Sequence, residues 1–123
     1  VRLAGIDAPE KETYWGRMAK IHIEELVLGN KGALIQYLID PYNRIVADIK
    51  IGEISLSHKM LEDGYAEYFR VGCVDYSDKS KYNLKYDILP YVKLEKIARE
   101  KKINIWSAKD YVSPCKYRKN KKK

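Results

Sequence analysis

The chain has 123 residues, 46% of them hydrophobic and 33% charged, the composition of one globular domain with a single core. No stretch approaches the ~18 successive apolar residues of a membrane helix, and no secretory leader is visible. The net charge is +7, but six cations lie in "KYRKNKKK" at 116–123, so the basicity belongs to the tail and the body is close to neutral. A charged tail of this kind attracts polyanions, either nucleic acid or an anionic membrane surface, or stays a solvated end. Cys73 and Cys115, with isolated His22 and His58, cannot build a four-ligand zinc site and are expected as free thiols.

In chain order, residues 1–6 read as a strand that "DAPE" ends, because Pro9 cannot continue a central ladder. Residues 14–28 have helical spacing. Trp15, Met18, Ala19, His22, Ile23 and Leu26 form the stripe, and Gly29-Asn30 is the stop. "ALIQYLI" at 33–39 and "IVADIKI" at 45–51 are strands joined by the turn chemistry of "DPYNR", and Gly52-Glu53 makes the next turn of a meander. A short helix is expected over 55–63 with Gly64 as its stop, and a short strand over 65–69. Residues 70–87 read as a long Tyr-rich surface loop. A helix follows over 88–101, capped by Asp87, with Tyr91, Leu94, Ile97 and Ala98 inward. "INIW" at 103–106 is expected as an extended anchor. His22 is expected half-buried and satisfied, His58 on a helix surface, and Trp15 and Trp106 as core anchors. The pattern alone allows a small barrel overlaid by helices or a generic α+β sandwich.

The opening "VRLAGIDAPE" places Arg2, Asp7 and Glu10 around an apolar run, and Arg44 closes the polar hairpin. Phosphodiester cleavage needs these residue types. Cations neutralise the phosphate oxygens, a carboxylate handles the attacking water, and hard oxygen donors hold a divalent metal. With 24 basic and 17 acidic residues, many such quartets exist, and surface ion pairs are the bland alternative.

Six blocks in order, "VRLAGIDAPE", "YWGRMAK", "DPYNRIVA", "LEDGYAEY", "EKIAREKKINIWS" and "SPCKYRK", make the chain resemble the staphylococcal nuclease (thermonuclease-like) family over nearly its whole length. The resemblance implies an α+β fold, a five-stranded OB-like Greek-key barrel with three helices. Its first two strands have no counterpart before Val1, and an upstream segment is expected to carry them. The nuclease domain would cover 1–112 and a basic tail 113–123.

The resemblance further implies a calcium-dependent endonuclease on DNA and RNA, leaving 3′-phosphate ends. Arg2 and Arg44 would hold the scissile phosphate, and Glu10 would act on the water. Asp7 and the Ala8 carbonyl would ligate Ca2+, while Tyr42, Lys116 and Arg118 would contact substrate. Tyr65, Tyr68 and Tyr76 are candidates for base stacking. A monomer is expected, with membrane anchoring only through an upstream segment. The other class, an inactive nucleic-acid or protein-binding module, typically loses the acidic and arginine positions that Arg2, Asp7, Glu10 and Arg44 retain here.

Overall fold

The computed structural model describes residues 2–39, 43–70 and 88–121. Asp40, Tyr42, Cys73, Tyr76 and the expected surface loop beyond Arg70, together with the Asp87 cap, lie outside the described residues.

The opening run is not one strand but two, β1 (Arg2–Leu3) and β2 (Ile6–Asp7). The break falls at Gly5, whose φ of 76° is left-handed and whose missing side chain admits the Tyr91 ring. Each half then finds a different partner. β1 pairs in parallel with β4 (Ile45–Ile51), Arg2 opposite Val46. β2 pairs antiparallel with β6 (Glu67–Tyr68), Asp7 opposite Glu67. The single strand expected over 1–6 is therefore split between two sheets.

β3 (Ala33–Ile39) and β4 form the expected antiparallel hairpin, with a bulge between Gln36 and Leu38. β5 (Ile54–Ser55) adds to β4 beyond the Gly52 turn and completes the meander. A four-stranded sheet and a separate two-stranded pair result, and no closed barrel forms among the described residues. β3 has a strand partner on one side only within these residues and leaves Leu34 and Ile39 exposed.

Among the described residues there are four α-helices, against the three expected. In α1 (Tyr14–Val27) the stripe buries Ala19 and half-buries Met18, His22, Ile23 and Leu26. α2 (Leu56–Glu62) starts at Ser55, whose hydroxyl accepts from the His58 N–H, and stops before Gly64 at φ 73°. α3 (Leu89–Lys101) buries Tyr91, Glu95 and Ala98, whereas Ile97 is exposed. "NIW" forms a 3-10 turn, Asn104–Trp106, rather than an extended segment, and buries Ile105.

The fourth helix, α4 (Pro114–Lys121), lies in the stretch read as a tail. It has no apolar stripe to announce it. Its start is legible only as Ser113, whose hydroxyl accepts from the Lys116 N–H, followed by a proline in the first turn. The core gathers Ile6, Ala19, Met60, Leu61, Ala66, Tyr68, Ile88 and Tyr91, where the β2–β6 pair meets the first three helices. No described helix is long and apolar enough to cross a membrane.

Candidate active site

Asp7 ends β2 and is buried. Three residues later Glu10 is half-buried in the turn before α1. Thr13 fixes that turn. Its N–H and its hydroxyl both donate to the Glu10 carbonyl, at 2.9 and 2.7 Å. The same hydroxyl oxygen accepts from the Gly16 N–H and so caps α1. Gly16 is required by the close approach, because a Cβ there would lie 1.8 Å from the Glu10 carbonyl oxygen. Glu10 is thus held by its backbone, with its carboxylate left to the site.

Arg118, one turn into α4, reaches across to both acids. Its Nη1 donates to Asp7 Oδ1 and Glu10 Oε1, each at 3.1 Å, and its Nη2 donates to Asp7 Oδ2 at 2.8 Å. This is a bidentate fork on Asp7 with a third bond to Glu10. The hydrogen bond to Asp7 and the charges of the two acids hold the guanidinium even more firmly protonated than usual, although its partial burial opposes this. Tyr117 supports the same seat by donating to Glu12 at 2.9 Å.

The arginines expected at the phosphate come from the other pairing. Arg2 faces Val46 across the β1–β4 ladder, and Arg44 precedes β4 directly, so parallel pairing brings both to the same strand ends. The Arg2 guanidinium lies 4.5 Å from the Phe69 ring centre, and Arg44 is exposed after Asn43, whose φ of 62° turns the hairpin. The described contacts give one grouping, Asp7–Glu10–Arg118, while Arg2 and Arg44 are related only through the register of β1 with β4. Ala8 is half-buried between the two acids in sequence, and Lys116 is exposed on α4.

A cavity of about 310 Å3 adjoins Asp7, lined also by Glu67, Arg70, Arg99 and Pro114. Burial pushes the Glu67 carboxyl up, opposed by the Tyr111 hydroxyl, which donates to it at 2.5 Å, and by Arg70. Glu67 lies in the "LEDGYAEY" block, which gives it no site role, and Tyr111 lies in none of the six blocks; only the cross-strand register of β2 with β6 puts Glu67 opposite Asp7. Three other expectations change. Tyr68 is buried and cannot stack on a base, while Tyr65 lies half-buried against His22 and Trp15. His58 is half-buried with its ring 4.6 Å from that of Tyr91. Cys115 is disulfide-bonded rather than a free thiol. His22 is half-buried and satisfied as expected, 2.6 Å from Asp63.

As a metal centre, the acids and the Ala8 carbonyl offer hard oxygens, the donor class of Ca2+. That they already hold a cationic guanidinium shows the pocket suits positive charge. Among the described residues no three or more His, Cys, Asp or Glu side chains are grouped so that they could hold a metal ion, so protein carboxylates alone fill only part of a calcium sphere.

A family model described as staphylococcal nuclease homologue matches residues 1–108. The chain is 31% identical to the probable staphylococcal-like nuclease CAN4 of Oryza sativa subsp. japonica, over 100% of this chain and 22% of that protein. It is 29% identical to the staphylococcal-like nuclease CAN1 of Arabidopsis thaliana, over 99% of this chain and 34% of the relative. With the probable endonuclease LCL3 of Komagataella phaffii it shares 30% identity over 96% of this chain and 53% of that protein. The chain thus spans between about a fifth and a half of the length of these relatives. On the match over residues 1–108, the chain belongs to the staphylococcal nuclease homologue family.

Proposed function

We propose that the protein is a calcium-dependent phosphodiester hydrolase that cleaves DNA and RNA with low sequence specificity and leaves 3′-phosphate ends. The observation that carries this reading is the carboxylate pair Asp7–Glu10, Asp7 placed by β2 and Glu10 by its backbone bonds to Thr13, with both acids presented to a cation. Glu10 accepts the proton of the attacking water as the water oxygen bonds to phosphorus and the P–O5′ bond breaks, and the departing 5′ oxygen takes a proton from solvent to leave as a hydroxyl. Arg2 and Arg44 neutralise the charge that gathers on the phosphoryl oxygens. Asp7 and the Ala8 carbonyl would hold the calcium ion, which supplies further charge stabilisation when bound. Tyr42 and Lys116 contact the flanking nucleotide, and Arg118 joins them only after leaving the acids.

The test is cleavage of single- and double-stranded substrates with Ca2+ and with chelator, comparing the full chain with Glu10→Gln and Arg44→Ala. Each substitution is expected to lower turnover by at least ~100-fold, the usual effect of losing a positioned base or charge stabiliser. Circular dichroism should show both variants folded. Cleavage unchanged in both variants would place the chemistry elsewhere.

A further inference from the structure

The Asp7–Glu10 pair has a resident cation. Arg118 engages both Asp7 oxygens and one Glu10 oxygen, while Asp7 is 11% and Glu10 28% exposed at the side chain. In this arrangement Glu10 cannot offer that oxygen to a water, and neither Asp7 oxygen is open to a metal. The arrangement nevertheless solves a real problem. Two neighbouring carboxylates, one of them buried, repel each other and are costly without a counter-charge.

The guanidinium arrives on an element suited to giving it up. α4 has the sequence PCKYRKNK, with no apolar stripe, so its seat depends on Pro114, on polar contacts and on the covalent tether at Cys115. Cys115 lies one turn before Arg118, and the Arg118 side chain is 42% exposed. The side chain can swing into solvent while the first turn of α4 stays anchored.

We propose that Arg118 is an internal stand-in for the divalent cation. It neutralises Asp7 and Glu10 when no metal is bound, and a divalent cation enters only by displacing it. This rests on the calcium reading above and adds a competitor to it. The exchange is a ligand swap without covalent chemistry. One guanidinium leaves as one divalent ion arrives, and the pair goes from partly to fully neutralised. Arg118 thereby sets how much metal the site needs, and removing it makes the site bind metal more tightly.

The test is Ca2+ titration by calorimetry on the full chain, comparing the wild type with Arg118→Gln, Arg118→Lys and Lys109→Gln. Lys109 is exposed and removes the same charge elsewhere. Arg118→Gln is expected to tighten the apparent Kd at least about tenfold, the equivalent of 1.4 kcal/mol. Arg118→Lys, which keeps the charge and loses the fork, should fall between, and Lys109→Gln should match the wild type. The melting temperature supplies the second readout. Without metal Arg118→Gln should melt lower than wild type, and Ca2+ should raise it by more than it raises wild type. If Arg118→Gln folds only with Ca2+, the swap is supported in its strongest form. Equal calcium affinity in wild type and both Arg118 variants overturns the swap and leaves the calcium reading standing. Absence of calcium binding in every variant overturns both.

Discussion

Glu10 is held at its backbone by Thr13 as well as at its carboxylate by Arg118, and the chemistry of the backbone placement is local. Thr13→Val keeps the volume and loses the hydroxyl that both caps α1 and donates to the Glu10 carbonyl. The expected result is a loss of about 1 kcal/mol in urea unfolding, the usual cost of an N-cap, with a fall in kcat larger than any change in KM. A matching loss in KM alone would mean that Glu10 keeps its position without Thr13. Gly5 makes the corresponding argument for the fold. Its φ is left-handed, and a Cβ would lie 2.1 Å from Cε2 of the buried Tyr91 ring. Gly5→Ala should therefore destabilise by more than ~1 kcal/mol, because strain and overpacking add. The same glycine shows what a linear reading misses. "RLAGID" alternates well enough for one strand, and nothing local says that an aromatic ring 86 positions away occupies the space above Gly5.

At the scale of elements, α3 shows where periodicity succeeds and where it stops. Tyr91 and Ala98 face inward as the spacing requires, but Glu95 replaces Ile97 on the buried side. Glu95 accepts from the Tyr68 N–H at 2.7 Å and from Arg70 at 2.6 Å, partners that β6 and the residues after it supply. Hydropathy gives a glutamate to solvent, and only long-range pairing can recover it. Glu95→Ala should cost about 3–5 kcal/mol, the penalty for breaking a buried ion pair and stranding its partner, as read by chemical denaturation. The meander 33–55 was legible because turn residues and β-branched runs are local signals. α4 was not, because its charge pattern matches a solvated tail and its anchors lie far back in the chain. α2 adds a pH dependence. Burial lowers the His58 pKa, and Lys50 acts the same way, while Asp48 opposes them. Between the lowered pKa and the ordinary histidine value the unfolded chain then binds more protons than the fold. Stability is fully present above a pH of about 6.5 and falls as the pH drops toward the lowered value. His58→Gln should flatten that part of the stability–pH curve in urea titrations.

For the whole molecule, the candidate site is a meeting of the chain's two ends, since Arg118 contacts Asp7 across 111 positions. Each residue type was readable from motifs, but the pairing of Arg118 with the acids was not. A guanidinium in a basic stretch suits a phosphate as well as a carboxylate, and only the folded position of α4 decides between them. The same geometry divides the described charges of α4 into two parts. Arg118 is neutralised by the acids, whereas Lys116 and Lys119 are exposed on α4 and available to a polyanion. Because the body is close to neutral, the electrostatic share of nucleic-acid binding should come largely from this helix. Each phosphate contact on a single strand contributes about 0.7 to the slope of log affinity against log salt. Lys116→Ala with Lys119→Ala should therefore lower the slope by about 1.4 and weaken binding evenly across sequences. Fluorescence anisotropy with a labelled single-stranded oligonucleotide, in chelator so that no turnover occurs, reads this directly. An unchanged slope would move the phosphate contacts from α4 to the strand ends that carry Arg2 and Arg44.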